Sequence, residues 1–272
     1  MIKKIFFHAD DFGRSKIISK NIYLCIKKKI INSLSIMIGF DETYFKKIKG
    51  NNNLNIRLHI NLTEKYKNCS LIENYSFVKL FLIRFYPNFS YHKKIIIKEV
   101  EYQIIFFKKK FNLKKIQIDS HEHIHVIPWI NEILVNMKKK HNIVELRNPI
   151  ERYYYIKINN FINTKFLSNI VKFYLIKFFS IFHNIKKNTL IKKNFTGLLF
   201  TGFQNYDSIT NGILNNYDLS KPIEVLIHPG FTNKKEIELF KKKYFDYYSS
   251  TERINEFKLA SSSKMKKFLK KF

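Results

Sequence analysis

Short apolar runs that alternate with segments of helical periodicity are the feature that most limits the fold of this chain. The runs have the length of buried strands, and the segments between them repeat apolar residues every three or four positions. A strand-then-helix order predicts parallel strands covered by helices, and about seven strands favour a TIM-like (β/α) barrel over an open sheet. The predicted strands are Ile2–Phe7, Ser33–Ile38, Leu54–Leu62, the run beginning at Ile116, Ile143–Leu146, Gly197–Phe203 and Pro222–Ile227.

The predicted helices lie between and after these strands. They cover Ser15–Ile31, Ser90–Phe111, Pro128–Lys140 and Glu252–Ala260. No Pro/Gly/Ser-rich linker divides the 272 residues. We therefore expect a single α/β domain that spans residues 1–272.

Ionisable residues follow the carboxyl ends of five predicted strands. In a (β/α) barrel these ends meet at one face, which is where barrel enzymes carry their active sites. The sequence therefore predicts one shared site and not a set of unrelated polar strand ends. The residues concerned are Asp10, Asp11, His59, His121, His123, Arg147 and His228.

The segment IQIDSHEHIHVIP, residues 116–128, is the most histidine-rich part of the chain. If an extended backbone continues past Ile118, then Asp119, His121, His123 and His125 project from one face. Neutral imidazole binds divalent metals, and two histidines in an H-x-H pattern can reach one ion. The segment alone is compatible with a metal site or with an exposed strand end, and the coincidence of five polar strand ends favours the metal site.

One carboxylate and two imidazoles would leave coordination positions open, as in catalytic metal centres. Metal-bound water is acidified and can attack a carbonyl, while a second carboxylate takes its proton and a histidine protonates the leaving group. The adjacent Asp10 and Asp11 should diverge at a turn, so one is expected to bind the ion and the other to act as base. We expect one divalent ion, and the ligand types leave magnesium and zinc both open.

Four motifs, HADDFGRS, RLHINLT, IDSHEHIHVIP and IEVLIHPG, resemble in order and spacing those of the YdjC-like carbohydrate deacetylases. The resemblance covers mainly residues 1–130 and 195–230. It implies a distorted (β/α) barrel and a metal-dependent hydrolase that removes the acetyl group from an N-acetylated amino sugar, either a carbohydrate or a glycolipid. The chain departs from the family pattern at Glu122, where histidine is usual, and at Arg57, where glycine is usual; Arg57 raises a question of packing near His59.

The resemblance also implies roles for individual residues. It makes Asp11, His59 and His121 the metal ligands and Asp10 the general base. His228 would be the acid or would orient the acetyl group. The remaining candidates, which would bind substrate or support the site, are His123, His125 and Arg147.

The composition bears on partners. The formal net charge is +29, but the lysines are spread along the chain and accompany many Asn, Ile, Phe and Tyr residues, so compositional drift accounts for the charge. We therefore expect no nucleic-acid partner. Two cysteines imply no disulfide framework, the N-terminus does not resemble a signal peptide, and the apolar Phe173–His183 segment is too short to cross a bilayer. A cytoplasmic location is expected, and the aromatic segment 161–183 is a candidate surface for a homodimer.

Two other interpretations stay open at this stage. Sites with two histidines and one carboxylate also serve phosphoesterases and cyclic amidohydrolases, so another metallohydrolase is possible. Alternatively, the chain is a basic protein associated with nucleic acid or membranes, and its site is vestigial.

Overall fold

A seven-stranded parallel sheet forms the centre of the computed structural model, which describes residues 5–66, 69, 75–154, 164–182, 190, 192–217 and 220–271. The strand order across the sheet is β5-β4-β3-β2-β1-β7-β6, and every pair of neighbours is parallel. The strands are β1 (Ile5–Phe12), β2 (Ser33–Ile36), β3 (Asn55–Ile60), β4 (Ile116–Ser120), β5 (Ile143–Leu146), β6 (Asn194–Thr196) and β7 (Ile223–Ile227).

Helices connect the strands and cover the sheet. Short 3-10 turns also occur at Ile83–Phe85, His121–Val126 and Lys234–Leu239. Within the described ranges, none of the helices has the length and apolar composition needed to cross a membrane. The helices are α1 (Lys16–Lys27), α2 (Phe45–Ile48), α3 (Phe77–Leu82), α4 (Phe89–Phe111), α5 (Pro128–Asn136), α6 (Lys138–His141), α7 (Thr164–Phe182), α8 (Tyr206–Asn216), α9 (Lys242–Tyr248), α10 (Thr251–Ala260) and α11 (Ser263–Leu269).

Helix α1 shows how local sequence produces these elements. The Ser15 side chain accepts a hydrogen bond from the Ile18 backbone N–H at 3.2 Å, which satisfies one free donor of the first turn. Ile18 and Ile22 are fully buried, and Cys25 lies on the same face one turn further on. This apolar face packs on the sheet. The helix therefore carries the chain from the end of β1 back to the start of β2, so that the two strands are parallel.

The predicted α/β class and the parallel sheet are confirmed, but the closed TIM-like barrel is not. The sheet is a curled half-barrel, and no β5–β6 pairing occurs in the part of the chain that the structure describes. Other contacts span this gap: the Leu146 backbone N–H donates to the Leu190 carbonyl at 3.1 Å, and Lys193 pairs with Glu145. That residues 1–272 form a single domain stays a prediction.

Two strand predictions need correction. The first strand continues to Phe12, whereas residues 2–4 of the predicted Ile2–Phe7 lie outside the described residues. The prediction of a strand over Gly197–Phe203 is wrong, because β6 ends at Thr196 and the chain then turns. Gly197 has a φ of 115°, and a Cβ atom at this position would clash with the Leu226 carbonyl, so the glycine allows a turn that the apolar content of the segment conceals.

The concave side of the sheet is lined by charged and polar side chains that are almost fully buried. Arg57, whose packing was in question, belongs to this interior and is 0% exposed. Its guanidinium pairs with Glu145 and, at 2.6 Å, with Glu224. The charges of the sheet interior are therefore paired, and removal of one partner would leave an unpaired buried charge, which is strongly unfavourable.

We predict that Arg57→Met lowers the free energy of unfolding by about 3–5 kcal/mol at neutral pH, because it leaves buried carboxylates with less compensation. Denaturant unfolding measures this, and Arg152→Met, at an exposed arginine, is the control that should change little.

The same prediction has a pH dependence. Burial raises the pKa of Glu224, but Arg57 and Arg147 outweigh it and lower the pKa from 4.5 to about 2. A carboxylate with a depressed pKa contributes stability above its unfolded pKa and loses it as the pH falls through the folded pKa. The stability difference between wild type and Arg57→Met should therefore shrink as the pH falls from 4.5 toward 2. A difference that does not change with pH would contradict the pairing.

Candidate active site

The two adjacent aspartates at the end of β1 point to different neighbours. Asp11 has a φ of 69°, in the left-handed region, and the register with β2 is irregular between Ala9 and Phe12. This break in the strand separates the two carboxylates. Asp10 contacts Arg147, whereas Asp11 lies beside His59 and His121.

Asp11, His59 and His121 form a buried group of potential metal ligands, in which one donor atom from each residue lies within 4.8 Å of the others. Asp11 Oδ1 is 3.5 Å from His59 Nε2 and 3.3 Å from His121 Nδ1. His59 Nδ1 is hydrogen-bonded to Asp119 Oδ1 at 2.7 Å, which turns Nε2 toward Asp11. A carboxylate behind a histidine is the usual support of a metal-binding imidazole.

The chemistry of this group fits a divalent cation. Asp11 Oδ1 is buried and makes no hydrogen bond. The His121 ring turns Nδ1 toward this oxygen, and its Nε2 lies 3.2 Å from Glu64 Oε1. Burial lowers the pKa of His59, but the Asp10 and Asp119 carboxylates outweigh it and raise that pKa to about 9. The surrounding carboxylates thus favour positive charge at this point, and a metal ion would supply it while giving the buried Asp11 Oδ1 a partner.

The predicted extended backbone through residues 119–125 is wrong, because β4 ends at Ser120 and a 3-10 turn follows. Glu122 and His123 have φ values of 53° and 55°, so the alternation of side chains stops there. His121 reaches the metal-ligand group, and His125 instead hydrogen-bonds with Ser120 Oγ at 2.6 Å and with the Arg147 carbonyl at 3.1 Å. The turn therefore separates histidines that a strand would have aligned.

His123 lies in the chain between His121, in the metal-ligand group, and the hydrogen-bonded His125. Its ring meets the Phe195 ring edge-on, with centroids 6.2 Å apart, and its Nδ1 atom is buried without a hydrogen-bond partner. Burial lowers the pKa of His123 well below its usual value, and the positive charge of Arg147 adds to this effect. His123 is thus a neutral imidazole beside the site, and its predicted contact with substrate stays a prediction.

A second group of potential ligands, His8, Asp10 and Asp119, is occupied by an arginine side chain. Arg147 Nη1 and Nη2 donate to the two Asp10 oxygens at 2.8 and 2.7 Å, and Nη2 also contacts Asp119 Oδ2 at 2.7 Å. His8 is hydrogen-bonded on both ring nitrogens, to Ser33 and Ser35. The guanidinium supplies the positive charge that these carboxylates need, so the group has no unmet requirement for a metal ion.

The same arginine sets the ionisation of Asp10. Burial raises the pKa of the Asp10 carboxyl, but the Arg147 guanidinium lowers it, and the resulting pKa lies well below its usual value. Asp10 is therefore ionised at neutral pH and is held at both oxygens.

His228 directly follows β7, and its ring also approaches Asp10. Its Nε2 is 3.9 Å from Asp10 Oδ2, and its Nδ1 is 3.9 Å from Glu256 Oε2 on α10. Glu256 also accepts hydrogen bonds from the His228 backbone N–H at 2.7 Å and from the Gly202 N–H at 3.0 Å. The fully buried Glu256 thus fixes the loop that carries His228.

Sequence reasoning missed several residues of this site. Glu64 places Oε1 3.2 Å from His121 Nε2, and Arg14 holds its other oxygen at 2.6 Å. Glu64 directly follows the RLHINLT motif, and His8 is the first residue of HADDFGRS. The sequence signal for both is therefore their position in or next to a motif. Glu256 carries no such signal, because an acidic residue on a C-terminal amphipathic helix is usually solvated.

The fold and this site together define an α/β protein that carries a candidate metal centre at the carboxyl ends of its parallel strands, the position expected for an active site. The chain belongs to the YdjC-like protein family, whose sequence profile matches residues 4–271. This result confirms the resemblance that the four motifs indicated.

Relatives of known name support the assignment. A carbohydrate deacetylase of Xenopus laevis is 24% identical over 97% of this chain and 93% of the relative. A carbohydrate deacetylase of Clostridium beijerinckii is also 24% identical, over 85% of this chain and 83% of the relative. A solved structure of a candidate cellobiose-phosphate cleavage protein from Enterococcus faecalis has a TM-score of 0.63 and 16% identity, with 100% of this chain and 95% of that chain covered, which shows a shared fold.

We predict that His59→Ala and His121→Ala each lose the bound divalent ion, because each removes one of three donor side chains. Elemental analysis after loading with zinc or magnesium and dialysis measures the metal content. His123→Ala is the matched control and should retain about as much metal as wild type. Equal metal content in all four proteins, including none in any of them, would contradict the assignment.

Proposed function

We propose that this protein is a metal-dependent hydrolase that removes the acetyl group from an N-acetylated amino sugar, free or in a glycolipid. The observation that carries the proposal is the buried Asp11–His59–His121 group, whose Asp11 Oδ1 makes no hydrogen bond, with the ionised Asp10 and the His228 ring beside it. Membership of the YdjC-like family and the carbohydrate deacetylases among its relatives support the substrate class.

Asp11, His59 and His121 would hold the ion, and a divalent ion bound there would acidify a water molecule and polarise the acetyl carbonyl. In the proposed reaction the water oxygen bonds to the acetyl carbon, and the C–N bond breaks to give acetate and a free amine. Asp10 accepts the proton that the water loses. Its low pKa keeps Asp10 ionised, and therefore able to accept a proton, at neutral pH.

His228 would give a proton to the departing nitrogen. Its Nε2 and Nδ1 atoms lie 3.9 Å from carboxylate oxygens of Asp10 and Glu256, so the ring is placed between the proposed base and a buried carboxylate. At 12% exposure, the side chain retains access to a molecule in the site. Glu256 acts through His228 as a positioning residue.

For Arg147 and His125 we propose positioning roles in place of substrate binding. Arg147 is 3% exposed and gives its guanidinium to Asp10, Asp119 and Glu224. His125 is 2% exposed and joins the Ser120 hydroxyl to the Arg147 carbonyl. Arg147 thus holds the Asp10 carboxylate directly, and His125 holds the backbone of Arg147.

The proposal predicts release of acetate from N-acetylglucosamine oligomers or N-acetylated glycolipids by the metal-loaded protein. Asp10→Asn should lower the rate at least about 10³-fold while metal content stays at the wild-type level, because the base is lost and the ligands remain. Acetate is measured by an enzyme-coupled assay across a panel of N-acetylated sugars.

One result would contradict this function, and another would contradict the roles given to the two aspartates. Phosphate release from sugar phosphates without any acetate release would indicate a phosphoesterase, which is the competing use of such a site. Loss of metal in Asp10→Asn would exchange the roles of the two aspartates.

We also predict that Arg147→Lys lowers kcat by about 10²-fold with metal retained, because an ammonium group cannot hold both Asp10 oxygens. Loss of the guanidinium should raise the Asp10 pKa, so the acidic limb of the pH–rate profile should move to higher pH. Arg152→Lys is the control. An unchanged acidic limb in Arg147→Lys would show that Arg147 does not act through Asp10.

A further inference from the structure

Helix α7 is apolar on two sides, although only one side is buried. Its inner side places Phe173, Ile176 and Phe179 in an apolar cluster. Its outer side exposes large apolar residues at helical spacing, among them Tyr174 at 60% and Ile181 at 75%. A helix that is hydrophobic all round normally has a cover on every side, so the outer side requires an explanation.

Helix α3 and the 3-10 turn after it extend this apolar surface. Phe179 of α7 packs against Phe77 and Phe81 of α3, with ring centroids 6.2 and 5.1 Å apart, so the two helices are neighbours. Val78 is 63% exposed and Phe85 is 73% exposed. We call the exposed set the α3–α7 face, and it comprises Val78, Phe85, Leu167, Tyr174, Phe178 and Ile181.

The two segments that carry this face have charged residues of one sign. Residues 76–98, which contain α3, include five lysines or arginines and no acidic residue. Residues 164–182, which form α7, include three lysines and no acidic residue. Aromatic and aliphatic residues on one surface with only basic residues beside them are typical of helices that lie in the headgroup region of an anionic membrane.

We propose that the α3–α7 face binds the surface of an anionic lipid bilayer. The apolar side chains enter the boundary between headgroups and acyl chains, and the basic side chains contact the lipid phosphates. The protein lies on the membrane through this face, since α7 does not have the composition of a membrane-spanning helix.

Two other partners could cover the α3–α7 face, a second copy of the chain or a nucleic acid, and the charge and the apolar residues argue against them. A second copy of the chain would bring the basic segments 76–98 and 164–182 against the same segments of another copy, in proteins whose formal net charge is +29 each. A nucleic acid would pair with the lysines but would leave Ile181 and Val78 without apolar partners. An anionic bilayer satisfies both the charge and the apolar surface.

The position of the face connects it to the rest of the molecule. Val126, which ends the turn that begins at His121, belongs to the same apolar cluster as the inner side of α7. Helix α7 would therefore lie between the bound membrane and the segment that carries a candidate metal ligand. Membrane binding does not depend on the proposed deacetylase activity and is tested without it.

The test is co-sedimentation of the full chain with vesicles of phosphatidylcholine, with or without phosphatidylglycerol. Because any protein of this charge is attracted to anionic vesicles, the variants leave charge unchanged: Phe178→Ser/Ile181→Ser is compared with Ile105→Ser/Leu214→Ser. The control residues are 54% and 62% exposed and lie on other helices. Thermal unfolding of both variants checks that they fold.

We expect wild type to bind anionic vesicles at least about tenfold more tightly than neutral ones and to retain part of this binding at high salt. Phe178→Ser/Ile181→Ser should weaken binding at least about tenfold and abolish the salt-resistant part, and the control pair should bind as wild type. Equal binding by the two variant pairs, or purely salt-sensitive binding by wild type, would overturn the proposal. Conversion of a wild-type dimer to a monomer by Phe178→Ser/Ile181→Ser in analytical ultracentrifugation, with vesicle binding unchanged, would also overturn it and assign the face to a second copy.

Discussion

The buried guanidinium of Arg147 is the interaction on which the rest of the site depends. It lies among the carboxylates of Asp10, Asp119 and Glu224, at 2.6–2.8 Å from each. Without it, these buried negative charges would repel one another and would attract a proton or a metal ion. With it, the positive charge between Asp10 and Asp119 is permanent, whereas the buried Asp11 Oδ1 in the neighbouring group makes no hydrogen bond. One arginine thus separates the position of a base from the position of an ion.

This arrangement also explains why the sheet interior can be polar. The pairs formed by Arg57, Glu145, Glu224 and Lys193 continue from Arg147 toward the opposite end of the sheet and bridge the gap between β5 and β6. The larger apolar cluster lies where the helices cover the sheet, and a smaller one, which includes Phe195 and Leu226, lies beside Arg147. Burial of these charges is possible because each has a partner of opposite charge. The pairs also fix the side chains that surround the candidate metal centre.

The sequence was sufficient to predict the α/β class, the parallel order and the gathering of ionisable residues at one end of the sheet, because parallel strands bring their carboxyl ends together. The choice of Asp11, His59 and His121 among those residues came from the resemblance to the YdjC-like family. The sequence was insufficient where backbone conformation departs from the regular period of a strand. The left-handed residues Glu122 and His123 end the alternation after β4, and nothing in their side chains signals this. Arg57 and Glu256 were also beyond sequence reasoning, since a charged residue is usually solvated and its burial becomes evident only when its partners, distant in the chain, are known.

The most direct test of this account is a crystal structure of the zinc-loaded protein with anomalous data collected on both sides of the zinc absorption edge. The account predicts one anomalous peak, bound by Asp11, His59 and His121, with Arg147 still paired to Asp10. A peak among His8, Asp10 and Asp119, with the guanidinium displaced, would contradict the central claim that Arg147 confines the ion to the other group.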